Sequence, residues 1–405
     1  MSTRSLLVFI SDLHLTDALK GPRVARADTL KRFWTRIDGA RGDRPAELVF
    51  VGDLFDIVRS PRWLATEHRP YHEPSPASIP VVDEIVAATL EREEPFFGML
   101  RDLVQRDALR LTYILGNHDR LLRFAPKARR AIWKAMTGED RKSVDFPRER
   151  TFPDHGVLAH HGHSGDFICY GRDGAAPIGD AIGVELIVRF PPLLRGRLDV
   201  DDPVELDDID DVRPVYAVPA WVRQLGQQSK GLIRPLHRTW SELVDEFLAN
   251  RFVRDWMKAQ RKGKLLSFDA GRQLKLLLEL STGRIMGRAQ DKRLTHAYRL
   301  FQHTFDGRFA RRAAERLAQP GYERLQYVVN GHSHFPSMTP LGQINGKPAV
   351  YFNTGTWRTV HQIGTHMRGR PTFLAYDAMT YLVFFASDDP LQRDYEWWTG
   401  AMVAS

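Results

Sequence analysis

The sequence predicts an α/β protein carrying a mostly helical insertion, and three observations predict it. Short apolar runs suited to buried strands each stop at a polar motif. Helical patterns separate the first of these runs. A stretch of about 170 residues with a different, aromatic-rich periodicity then precedes the last motif.

In chain order, residues 5–11, 47–51 and 109–115 are three apolar runs that read as strands buried on both faces. Residues 79–90 and 96–106 between them read as helices. Residues 59–80 hold Pro61, Pro70, Pro74, Pro76 and Pro80, which predicts an irregular loop able to rim a substrate site. Residues 157–161 and 326–330 are a fourth and fifth strand. Within the intervening stretch, Asp199, Asp201, Asp202, Glu205, Asp207, Asp208, Asp210 and Asp211 fit no calcium-loop spacing and read as a solvated loop. Trp240, Leu243, Val244, Phe247, Leu248, Phe252 and Trp256 recur at three- and four-residue intervals, one apolar helix face that reads as core packing. Residues 274–280 and 294–309 continue the helical theme. Residues 349–352 form a strand leading into Asn353, and residues 372–376 and 381–386 read as a hairpin. The expected organisation is a core in two parts, 1–164 and 322–386, with an insertion at 165–321 and a peripheral tail at 387–405.

Composition sets outer limits. The 405 residues, 43% hydrophobic, suffice for a sizeable core. The single cysteine, Cys169, excludes an internal disulfide. No apolar run is long enough for a bilayer, and residues 6–10 run straight into Ser11, Asp12 and His14 rather than a cleavage site, so a cytoplasmic location is expected. The net charge of +8 would suit anionic partners, but arginines spread over solvated helices are the favoured reading. Lys258, Arg261, Lys262, Lys264, Arg272 and Lys275 could meet phosphates, but no nucleic-acid motif accompanies them and a solvated face is the favoured reading. Peripheral membrane contact by the basic, aromatic insertion stays open.

Five motifs carry the chemistry: Asp12-Leu13-His14, Gly52-Asp53, Gly116-Asn117-His118-Asp119, His161-Gly162-His163 and Gly331-His332-Ser333-His334. Residues i and i+2 of an extended segment share a face, so Asp12 with His14, and His332 with His334, can each reach one ion. Asp53 has two carboxylate oxygens and is the natural bridge between two cations. Asn117 offers a carbonyl oxygen and His161 an imidazole nitrogen. This donor set suits Mn²⁺, Fe or Zn²⁺, and the absence of thiolates argues against a structural zinc. Two such ions can lower the pKa of a bridging water and stabilise in-line displacement at phosphorus. His118 can then protonate the leaving oxygen, with Asp119 orienting its ring. His160, His161 and His163 crowd the fourth motif; His160 points to the opposite face of a strand from His161. Each motif alone is weak, but five in this order at predicted strand ends are not coincidental.

These residues resemble the calcineurin-like metallophosphoesterase superfamily over roughly residues 5–164 and 322–386, in the segments 9–15, 51–56, 116–119 and 331–334. The resemblance implies a two-sheet α/β sandwich flanked by helices. It implies Asp12, His14, Asp53 and His334 on one metal, and Asp53, Asn117, His161 and His332 on the other. It implies His118 as the acid, Asp56 behind the ligands, and His161 as the ligand of the fourth motif because a glycine follows it. The expected activity is hydrolysis of a phosphodiester or pyrophosphate by a metal-bridged hydroxide, with manganese the first choice of ion. Residues 52–56 and the position of the insertion resemble the UDP-2,3-diacylglucosamine hydrolases, although that branch carries arginine where this chain has His118. The superfamily also contains nucleases, and scaffolds that have lost ligands; every ligand position is filled here. The protein phosphatases continue the second motif with Asp-Arg-Gly, unlike Asp56-Ile57-Val58.

Overall fold

A computed structural model describes residues 5–17, 24, 26–72, 74–171, 175–198, 206–213, 217–228, 233–261, 270–282, 307–364, 372–386 and 389–402. Its strands are β1 (Leu7–Ile10), β2 (Ala46–Val51), β3 (Leu109–Ile114), β4 (Glu149–Phe152), β5 (Val157–His160), β6 (Val212–Arg213), β7 (Tyr327–Asn330), β8 (Ser337–Ile344), β9 (Lys347–Asn353), β10 (Thr359–Ile363), β11 (Phe373–Phe384) and β12 (Tyr395–Met402). One sheet runs β3-β2-β1-β11-β10-β6 with β12 also paired to β11; the other runs β4-β5-β7-β9-β8. The chain is therefore an α/β protein built on two mixed sheets.

Strand alternation explains how the layers stack. Leu7 and Phe9 of β1, Val49 and Val51 of β2, and Ile114 of β3 meet Val157, Ala159, Val329 and Phe352 of the second sheet in one buried cluster between the sheets. Val8, Ile10, Leu48 and Phe50 face the other way, onto α1 (Ala27–Arg41), α2 (Ile79–Arg92), α3 (Glu94–Gln105) and α4 (Pro126–Thr137). Proline stands at the first turn of α2, α3 and α4, where its missing N–H costs nothing. On the far side, Leu158, Val328 and Tyr351 pack against Ala313 and Leu317 of the helix Arg308–Leu317.

The aromatic stripe packs as core: Trp240, Leu243, Val244 and Phe247 of the helix Ile233–Ala249 are buried in a cluster of the insertion's own. Several expectations need correction. Residues 372–386 are not a hairpin: β11 is one twelve-residue strand, pairing β10 at Phe373–Asp377 and β1 at Leu382–Phe384. No glycine, proline or asparagine stands at 377–380, and Asp377 accepts a bond from Thr359 (2.6 Å) within the ladder. The tail is not peripheral, because β12 pairs β11 over eight residues and Trp398 stacks on Tyr381 (5.1 Å between centroids). Two stretches within 165–321 belong with the core: β6 joins the first sheet through β10, and the helix Arg308–Leu317 covers the second. Most of the predicted helix at 294–309 lies outside the described residues, as do Asp199, Asp201, Asp202, Glu205, Lys262 and Lys264. Among the described residues no helix is long and apolar enough to cross a membrane.

Candidate metal centre

The motifs meet where β1, β2, β3, β5 and β7 end. Asp12 and His14 lie past the end of β1, and five candidate ligands have left-handed backbones: Asp12 (φ 55°), His14 (51°), Asp53 (51°), His332 (73°) and His334 (60°). Non-glycine residues in this region are strained, and such strain persists only where surroundings over-determine it. Here they do. His14 N–H donates to Asp53 O (2.9 Å) and Thr356 Oγ1 donates to Asp12 O (2.6 Å). His332 N–H donates to Asp12 Oδ2 and His118 N–H to Asp53 Oδ1, each at 2.9 Å. Gly52 (φ 84°) has no room for a side chain, since a Cβ there would strike the His161 ring.

Two donor sets result. In the first, Asp12 Oδ1 lies 3.2 Å from His334 Nε2, and His334 Nε2 lies 3.0 Å from His14 Nε2. In the second, Asp53 Oδ2 lies 3.0 Å from His161 Nε2, while Asn117 Oδ1 lies 3.1 Å from His161 Nε2 and 3.0 Å from His332 Nδ1. Asp53 Oδ2 is also 3.8 Å from His14 Nε2, so its carboxylate stands between the sets. All seven predicted ligands are thus brought together. His332 and His334 do not share a set as their i, i+2 spacing suggested; their left-handed backbones send one ring to each.

The donor chemistry fits divalent cations. Asp12 Oδ1 is buried without a hydrogen-bond partner. His161 Nδ1–H donates to Val51 O (2.8 Å) and His332 Nε2–H to Asp166 Oδ2 (3.1 Å), while His14 Nδ1 lies 3.2 Å from Asp56 Oδ2 and 3.1 Å from Arg59 Nη2; each contact turns the opposite nitrogen of its ring toward the centre. His334 differs: Arg213 Nε donates to its Nδ1 (2.9 Å), so the neutral ring carries its proton on Nε2, shared with His14. A cation held by His334 Nε2 would require the ring's one proton on Nδ1, in place of the bond from Arg213.

The sequence pattern of the calcineurin-like phosphoesterase family matches residues 6–209. The chain belongs to the calcineurin-like phosphoesterases. It is accordingly a metal-dependent phosphoester hydrolase. No curated protein and no solved structure matches the chain. The family match ends before His332 and His334, which this calcineurin-like phosphoesterase brings to the centre from beyond its insertion.

Asp56 organises one flank of the phosphoesterase centre. Besides His14 it accepts from His118 Nδ1 (2.7 Å) and Arg59 Nε (2.7 Å). Burial pushes its carboxyl up, but Arg59 and then His118 outweigh burial and hold it well below the usual range. The acidic run is correspondingly not a solvated loop at its described end. Arg358 binds Asp210 (2.9 Å) and Asp211 (2.7 Å), Asp210 also pairs with Arg59, and Arg213 donates to the Asp210 carbonyl (2.6 Å). These arginines back the histidines of the centre. Asp166, Arg213 and Arg358 carried no signal in the sequence, since their partners lie far along the chain.

Asp119 does not orient His118. It is buried and accepts from Gly116 N (2.6 Å), Leu54 N (3.2 Å) and Tyr113 Oη (2.6 Å), bracing the turn that carries Asn117. Burial, then the Asp53 charge, pushes its carboxyl up to about 7. Adjacent residues on a turn diverge, and His118 meets Asp56 instead.

A cavity of about 450 Å³ opens over the centre. Asp53, Asn117, His118, His332 and His334 line it, together with the apolar Ile168, Ile187, Phe309 and Phe335. Of the described residues of the proline-rich loop only Arg59 lines it. The remainder forms a seam with the insertion, through Arg69 to Glu185 (2.7 Å) and Tyr71 against Phe252 (4.9 Å between centroids), so the loop is a brace more than a rim. His160 and His163 line a separate cavity behind His161.

Proposed function

We propose that this phosphoesterase hydrolyses a phosphodiester or pyrophosphate bond at two divalent cations, manganese first among the candidates. Asp12, His14, Asp53 and His334 would hold one, and Asp53, Asn117, His161 and His332 the other. The observation that carries the reading is the Asp53 carboxylate, buried between two sets of imidazole and oxygen donors. Bound divalent cations supply Lewis acidity and a lowered pKa for water at such a centre.

The chain's own residues supply the rest. Asp56 fixes His118 Nδ1–H and leaves Nε2 to exchange a proton with the leaving oxygen, the role proposed for His118. His118 is part-buried at the cavity wall, able to meet both substrate and solvent protons. The helical insertion lends Ile168, Asp180 and Ile187 to the cavity and is proposed to select the substrate. The apolar part of the lining, Ile168, Ile187, Phe309 and Phe335, favours an ester bearing an apolar or aromatic group. It is also the observation that supports a second reading, a lipid-linked nucleoside pyrophosphate of the UDP-2,3-diacylglucosamine type.

The test is ³¹P NMR of the Mn²⁺-loaded protein with a UDP-sugar lipid, a cyclic nucleotide, a short DNA and a phosphomonoester, beside an Asp53→Ala control. Cleavage of a diester or anhydride, absent in the control, is expected. Turnover of the phosphomonoester alone contradicts the proposed bond class.

A further inference from the structure

The second cavity, of about 620 Å³, is separated from the first by the turns 116–120 and 161–164. Gly116 and His161 line it, whereas Asn117 and His118 line the catalytic cavity, and Cys169 borders both. Its wall is basic: Arg120, Arg123, Arg148, Arg312 and Arg316 with His160 and His163, against only Glu149 and Glu315. Two of these arginines are already spent. Arg316 pairs with Glu149 (2.8 Å) and Arg120 donates to Asp180 (3.1 Å). The other three are exposed and form no ion pair with a carboxylate among the described residues. Arg123 lies over the Phe124 ring (5.6 Å) and Arg312 donates to the Ser164 carbonyl, contacts that leave their charges uncompensated. His163 Nδ1 is buried at this wall without a hydrogen-bond partner.

A concave wall with three uncompensated guanidinium groups and an unpartnered ring nitrogen suits a phosphate, because guanidinium forks match its oxygens in geometry and charge. Low-dielectric walls focus such a field and raise the local anion concentration. We propose that this cavity is an anion subsite that takes a phosphate group other than the one being cleaved. That choice of ligand class rests on the phosphoesterase reading. The phosphate belongs either to a distal part of the substrate or to a free phosphorylated ligand, and both present the same chemistry to Arg123, Arg148 and Arg312.

The test is isothermal titration of inorganic phosphate into the metal-loaded protein and into the metal-loaded double variant Arg123→Glu/Arg148→Glu. Both side chains are exposed, so the fold tolerates the change, and circular dichroism verifies it. A control, Arg106→Glu/Arg110→Glu, reverses the same charge at the opposite end of β3. Two phosphates per wild-type and control chain, and one per double-variant chain, are expected. One phosphate in all three proteins overturns the subsite. One in the wild type and none in the double variant keeps the subsite and removes the metal-centre reading instead. The two sources are separated by the KM of p-nitrophenyl thymidine 5′-phosphate with and without a 3′-phosphate. A KM at least about ten-fold lower for the bisphosphate, lost in the double variant, assigns the phosphate to substrate. Equal KM values, with free phosphate altering the wild-type rate beyond the competitive inhibition it shares with the double variant, assign it to a free ligand.

Discussion

At the scale of single residues, the centre works by partners that fix imidazole rings. Asp56 holds both His14 and His118, so one carboxylate couples the donor set to the proposed acid. If His118 protonates the leaving oxygen, its importance must depend on how badly that oxygen needs a proton. His118→Asn should lower kcat about 10²–10⁴-fold for alkyl phosphodiesters, the usual worth of a general acid. It should lower kcat far less for bis(p-nitrophenyl) phosphate, whose leaving group departs without a proton. Steady-state kinetics on the two substrates check this, and equal losses on both would remove the acid role. The seven candidate ligands were legible in the sequence because each sits in a short motif at a strand end. Their supports were not. Arg213 meets His334 across 121 residues and Asp166 meets His332 across 166, separations that no local pattern records. Asp119 misled for the opposite reason: adjacency to His118 suggested a contact that the turn does not make.

At the scale of elements, apolar strands were legible and amphipathic ones were not. β1 and β7 are buried at every position, and β2, β3 and β5 are mostly apolar and buried at most positions. β4 is largely exposed and β8 alternates in burial, so neither stands out from a loop in composition. Within the seam between core and insertion, three bonds converge on Glu185, in the π-helical turn Gly183–Val188. It accepts from Arg69 Nε (2.7 Å), Tyr71 Oη (2.8 Å) and Arg189 Nη1 (2.9 Å). Burial pushes its carboxyl up, but the bonds from Arg69 and Tyr71 outweigh burial and hold it below the ordinary glutamate value. A depressed pKa gives stability that is present above the unfolded pKa, about 4.3, and is lost as pH falls through the folded one. Glu185→Gln should therefore cost about 3 kcal/mol at pH 7, the scale of a broken buried pair. The gap to wild type should narrow as pH falls below about 4, as urea unfolding from pH 7 downward would show. A gap independent of pH would mean that the charge contributes nothing.

At the scale of the whole molecule, the centre is assembled from both ends of the chain. Asp12 and His334 are separated by 322 positions in sequence yet lie 3.2 Å apart, because β1 and β7 end side by side on facing sheets. The order of strands and motifs made an α/β protein legible, whereas the two-sheet architecture was implied only by the resemblance to the calcineurin-like superfamily. The fate of the charges was not legible: part of the acidic run is buried against Arg59 and Arg358, while arginines from distant segments gather at the second cavity. The central claim is that the Asp53 carboxylate is shared by two cations. It is tested most directly by metal analysis of wild type and Asp53→Ala after loading with Mn²⁺ and desalting. Two ions per wild-type chain and at most one per variant chain are predicted. One ion or none in the wild type, or two in the variant, would contradict the account.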